Sequence, residues 1–160
     1  IKDRYRSQIV RIIRYLKAFR DYQWITGGPA SLLIMVMASN AFDSSHEDRD
    51  DLALLHVCSM IPQMLRSDVV NPQDPDEVLT NRLLDHEKTI QVFQELHDKL
   101  EKAIYHTDSP SEGLSLLSAL FGKRILGNLE QIKKVSPEEL ISSSPLILTS
   151  DEIIRRTRAG

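Results

Sequence analysis

Lys17 and Ser31 stand on either side of the break Gly27-Gly28-Pro29, the lysine in a helical pattern before it and the serine at the head of an apolar run after it. An ammonium is a good point-charge partner for phosphate, and the first turn of a helix presents backbone N–H groups that the helix itself does not use. The plainer reading of the same two residues is a solvated charge on a polar face and a capping serine. A second group, Asp43, His46, Glu47 and Asp48, has the side chains of a metal cluster. Carboxylates ahead of a helix, with Ser44 or Ser45 as its cap, more simply complement the helix dipole, and no metal is assigned to them. Cys58 lies among Leu52, Leu55, Val57 and Ile61, so it reads as a small hydrophobe and not a nucleophile. His56 reads as a partnered histidine at the edge of the core. A single cysteine excludes an internal disulfide and a multi-cysteine zinc site.

These residues need helices to place them. Ile9, Ile12, Ile13, Leu16 and Phe19 recur at helical spacing with Arg11, Arg14 and Lys17 on the flanks, which predicts an amphipathic helix over residues 3–24 stopped by Gly27 and Gly28. The run from Ser31 to Ala38 is apolar all round and reads as the central helix of a core. A third helix over residues 50–66 turns Leu52, Leu55, Val57, Cys58 and Ile61 inward, with a kink at Pro62. Pro72 and Pro75 mark a turn, and the longest helix follows over residues 77–106, with Leu79, Leu83, Ile90, Phe93, Leu96, Leu100, Ala103 and Ile104 on one face. That run is too short for a coiled-coil dimer, so an intramolecular bundle is expected. Ser109-Pro-Ser-Glu112 opens a short helix ending near Gly122, and Ser136-Pro-Glu-Glu139 opens a turn or two more. The fold class is therefore mainly α, with a helical lobe over residues 1–141. Three serines and Pro145 begin a flexible tail over residues 142–160.

With 160 residues, 41% hydrophobic and 27% charged, the chain can bury one ordinary core. A net charge of −3 argues against general nucleic-acid binding. No apolar run approaches the ~20 residues that span a bilayer, and no leader precedes Ile1, so a cytoplasmic protein with no membrane partner is expected. The start without methionine reads as a fragment of a longer product.

Arg14-Tyr-Leu-Lys-Ala-Phe-Arg-Asp-Tyr-Gln-Trp24 and Pro29-Ala-Ser-Leu-Leu-Ile-Met-Val-Met-Ala38 together resemble the start of the helical lobe of the bacterial cGAS/DncV-like nucleotidyltransferases, the oligonucleotide cyclases of antiphage signalling. Asp50-Asp-Leu-Ala-Leu-Leu55 and Asn71-Pro-Gln-Asp-Pro-Asp-Glu-Val-Leu-Thr-Asn-Arg82 extend the resemblance. It implies the C-terminal helical lobe of a two-lobed enzyme whose α/β catalytic lobe is not in this sequence. It also implies that Lys17 reaches the triphosphate of a bound nucleotide and that Ser31 hydrogen-bonds the same phosphates. The intact bacterial protein is expected to join nucleoside triphosphates into a cyclic di- or trinucleotide. The family's glycine-serine loop and its Mg²⁺-holding aspartates are not found here, so Mg²⁺ is expected in the absent lobe and this chain alone is expected to be catalytically silent. Some relatives are conjugated by a ubiquitin-transferase-like partner, and Arg158-Ala159-Gly160 is similar to a ubiquitin-like tail, which makes Gly160 the expected conjugation site. Rival readings are a nucleotidyltransferase that makes linear oligonucleotides or modifies RNA, and a non-enzymatic adaptor that docks a partner on its fourth helix.

Overall fold

The apolar stripe of the first segment becomes α1 (Asp3–Gln23), which buries Gln8, Ile12, Tyr15, Leu16 and Phe19. Ile9 and Ile13 lie at the margin of that face, half-buried. The structure, a computed structural model, describes residues 3–122. The expected turn of helix at Ser136 and the tail from residue 142 to Gly160 lie outside these described residues.

The run after the glycines forms α2 (Ser31–Ala41), whose Leu33, Ile34, Val36, Met37, Ala38 and Ala41 are buried. It is central but not enclosed all round as expected, for Leu32 and Met35 are 38% and 40% exposed on one side. A third helix, α3 (Asp50–Leu65), matches its expected span but not its expected face. Ala53, Leu54, Val57, Cys58, Ile61, Pro62 and Leu65 are buried, whereas Leu52 and Leu55 are only half-buried. The reason lies at its start, where Asp50 and Asp51 turn inward to arginine partners and set the rotation of the helix.

The helix expected from residue 77 begins nine residues later. In its place β1 (Val70–Asn71) and β2 (Asp74–Val78) form an antiparallel hairpin, followed by a 3-10 turn over Leu79–Arg82. Asn71 closes the hairpin by accepting from the Gln73 N–H at 3.0 Å, and Val69 accepts from the Leu79 N–H at 2.7 Å. α4 (His86–Tyr105) starts where the Asp85 carboxylate caps it, accepting from the Lys88 N–H at 3.0 Å. From there the expected face holds, with Ile90, Phe93, Leu96, Leu100 and Ala103 buried. α5 (Pro110–Phe121) starts where the sequence places it: Ser109 Oγ accepts from the Glu112 N–H, and the Glu112 carboxylate accepts from the Asp108 N–H, one residue before the cap.

The helices form one bundle. α4 packs on α3 and α5, while α1 lies against α2, α3 and α5. Phe19 is the hub, edge-on to Trp24 and Phe121 and 5.6 Å from the ring centre of Phe93. Aromatic contacts of this kind add about 0.5–1.5 kcal/mol per pair beyond area burial. They clamp the end of α1 to α4 and α5, which fixes where the chain turns into α2.

Candidate functional site

The turn from α1 to α2 is built around Trp24. Its indole packs on Phe93 at 6.1 Å and leaves no room beside Gly28, where an added Cβ would come within 2.9 Å of Trp24. Gly27 supplies the left-handed backbone the reversal needs, with φ of 75°. Pro29 is buried, Ala30 takes the cap position in extended geometry, and Ser31 is the first helical residue. Ser31 is therefore not the capping serine of the plainer reading. Since Ala30 has no side-chain acceptor, no side chain among the described residues caps the first-turn amides of α2.

Arg20, on the last turn of α1, reaches across and donates from Nη1 to Ser31 Oγ at 2.5 Å. Its Nε and Nη2 both donate to Asp21 Oδ1, at 2.9 and 2.6 Å. Lys17 sits one helical turn before Arg20, about 4.5 Å along the axis, on the same flank. It is half-buried and makes no ion pair among the described residues. The Arg20–Ser31 bond thus brings a hydroxyl at a helix N-terminus to the last turn of α1, one turn beyond the Lys17 ammonium, and these are donor types that suit an oxyanion. Arg20 escaped the sequence reading. Its signal was the three-residue spacing from Lys17, but only the crossing of α1 and α2 selects it from the several basic residues on that helix.

A second polar cluster lies at the start of α3. Asp50, with its side chain 2% exposed, takes a two-pronged ion pair from Arg11, whose Nε and Nη2 donate at 2.6 and 3.0 Å. Gln8 Nε2 donates to the same carboxylate at 3.2 Å and Tyr15 Oη at 3.4 Å. Burial first, and then the Asp50 charge, push the Tyr15 phenol well above its usual range. Asp51 is equally buried and is held by Arg49 at 2.8 and 3.0 Å. These two aspartates form buried ion pairs that tie α1 and the preceding loop to α3. Neither Ser44 nor Ser45 caps that helix, since Arg49 holds the cap position. Ser45 instead donates its N–H and Oγ–H to Asp43, the main cause of that carboxyl's depressed pKa. His56 is partnered as expected, its Nε2 3.0 Å from Asp43.

Among the described residues no three histidine, cysteine or acidic side chains gather as metal ligands. Asp50 and Asp51 are already neutralised by arginines, so this donor set does not fit Mg²⁺. Cys58 is fully buried, and burial alone pushes its thiol far up, out of the range of a nucleophile. A groove of about 630 Å³ runs over the head of α4 between Arg66, Asp85, Lys88 and Gln94, and no residue of the α1–α2 junction lines it. Among the described residues no helix is long and apolar enough to cross a membrane. Gly160 lies outside the described residues.

Residues 6–134 match the family model described as "Cyclic GMP-AMP synthase, C-terminal domain". A cyclic GMP-AMP synthase of Escherichia coli is 28% identical over 125 residues, covering 74% of this chain and 29% of that protein. The 3′-deoxy GTP bound form of Escherichia coli DncV superposes with a TM-score of 0.67 at 25% identity, over 74% of this chain and 34% of that one. Vibrio cholerae DncV in complex with the linear intermediate 5′ pppA(3′,5′)pG gives a TM-score of 0.61 at 26% identity, over 78% and 36%. The chain thus spans about a third of the proteins it is similar to.

Proposed function

This chain belongs to the family of cyclic GMP-AMP synthase C-terminal domains, and from that we propose that it is the helical lobe of an enzyme that joins nucleoside triphosphates into a cyclic dinucleotide. The observation that carries the reading is the bond from Arg20 Nη1 to Ser31 Oγ, which ties the last turn of α1, one turn beyond Lys17, to the first residue of α2. In this reading Lys17 neutralises phosphate charge, while Ser31 and the first amides of α2 donate to phosphate oxygens. The relatives solved with 3′-deoxy GTP and with a linear pppApG intermediate support nucleoside triphosphates as the substrates of the intact protein. The catalytic carboxylates and Mg²⁺ belong to the other lobe in this reading, because the buried acids Asp50 and Asp51 are engaged with arginines and no three ligand side chains gather among the described residues.

The test is product analysis of the intact protein given labelled triphosphates. A phosphatase-resistant cyclic dinucleotide is expected. Linear oligonucleotides as the sole product, or none from folded protein with Mg²⁺, would overturn the reading. Its finer part assigns Gly160 to a ubiquitin-transferase-like partner that would join the glycine carboxylate to an amine. Mass spectrometry of the protein co-expressed with such a partner should find a branched peptide carrying Ala159-Gly160 on lysine. Absence of that adduct with an active partner removes this part alone.

A further inference from the structure

We propose that Arg20 is a positioning residue that converts the Ser31 hydroxyl into an outward-facing donor for a phosphate oxygen. The inference deepens the proposed function and rests on its phosphate reading. A guanidinium carries only donors, so in the 2.5 Å contact between Arg20 Nη1 and Ser31 Oγ the serine oxygen must accept. That bond occupies a lone pair and leaves the hydroxyl proton unspent. Among the described residues this proton has no acceptor. Ser31 is half-buried at the first position of α2, so its proton and the first-turn amides are donors at the same helix end.

Asp21 sets the geometry of the device. It takes Nε and Nη2 on one oxygen, which fixes the plane of the guanidinium and leaves Nη1 for the serine. It also offsets the charge of Arg20, which leaves Lys17, one turn earlier on the flank and without an ion pair among the described residues, as the cation for an arriving anion. An ionised phosphate oxygen, which only accepts, fits a hydroxyl held in this way. A ligand group that must itself donate gains less, since one of the two lone pairs of the serine oxygen is already taken by Arg20.

The experiment is a mutant cycle on the intact protein, titrated with a non-hydrolysable nucleoside triphosphate, with thermal unfolding of each variant recorded alongside. Ser31→Ala and Arg20→Ala should each raise the Kd about threefold to tenfold, the worth of one net hydrogen bond. The double variant should bind no worse than Ser31→Ala alone, because Arg20 acts only through that hydroxyl. Arg20→Lys should recover part of the loss, since an ammonium can still donate to Ser31. If Arg20→Ala does not fold, Arg20→Met, which keeps the length of the side chain but has no donor, replaces it in the cycle. An equal loss from the Arg20 change with and without Ser31 would overturn the proposal, because a direct phosphate contact or a purely structural role behaves that way. A loss in Ser31→Ala with none in Arg20→Ala ends the positioning role and leaves the phosphate reading standing. No loss in Ser31→Ala ends both.

Discussion

Asp50→Asn, a change of one atom, should destabilise this domain almost as much as Asp50→Ala. Every hydrogen-bond partner of the carboxylate among the described residues is a donor: Gln8 Nε2 and Arg11 Nη2 point at Oδ1, Arg11 Nε and Tyr15 Oη at Oδ2. An asparagine must place its NH₂ at one of these two positions. At Oδ2 the Tyr15 hydroxyl could turn to accept, but Arg11 Nε, now 2.6 Å away, could not. At Oδ1 two further donors are opposed. Removing one partner of a buried ion pair costs about 3–5 kcal/mol, against a total domain stability of about 5–15 kcal/mol. We expect about 3 kcal/mol for Asn and slightly more for Ala, which corresponds to a fall of roughly 10 °C in Tm for a domain of this size. The assay is urea unfolding followed by the fluorescence of Trp24, the one tryptophan in the chain, which packs in the core against Phe19 and Phe93. An Asn variant within about 0.5 kcal/mol of the parent would refute the all-donor account, since a loss that small is usual for surface sites.

Two further outcomes follow from the core. The Cys58 thiol is raised by burial, so its contribution to stability is complete below the unfolded-state value of about 8.5 and is lost as pH rises above it, by up to about 1.4 kcal/mol per pH unit. Urea midpoints measured from pH 7 to 10 should fall more steeply for the parent than for Cys58→Ala, and equal slopes would contradict this. Ile34 has no exposed surface, so Ile34→Asp should abolish soluble protein. Recovery of folded, soluble Ile34→Asp would mean that α2 is not central.

The helices that were legible in the sequence announced themselves locally. α1 had its apolar stripe and glycine stop, and α5 had the Ser109-Pro110 start. The head of α4 was misread because Leu79, Leu83 and Ile90 fall near helical spacing although the first two belong to the 3-10 turn and its exit. β2 gave no strand signal, since Asp-Pro-Asp-Glu-Val lacks alternation and its outer residues are exposed. Asp50 and Asp51 look like surface acids in sequence, and the arginine that buries Asp50 is 39 residues away. Within the candidate site, Lys17 and Ser31 could be named from the family pattern. The Arg20–Ser31 bond could not, because it exists only where α1 and α2 cross.

The central claim is that the α1–α2 junction holds a triphosphate, and titration of Lys17→Ala in the intact protein tests it most directly. Lys17 is half-buried on a helix flank, so its truncation should leave Tm unchanged while removing one charge-assisted contact. Such a contact is worth about 1.5–3 kcal/mol, and the Kd for a non-hydrolysable nucleoside triphosphate should rise on the order of tenfold to a hundredfold. An unchanged Kd in a folded Lys17→Ala protein would contradict the account.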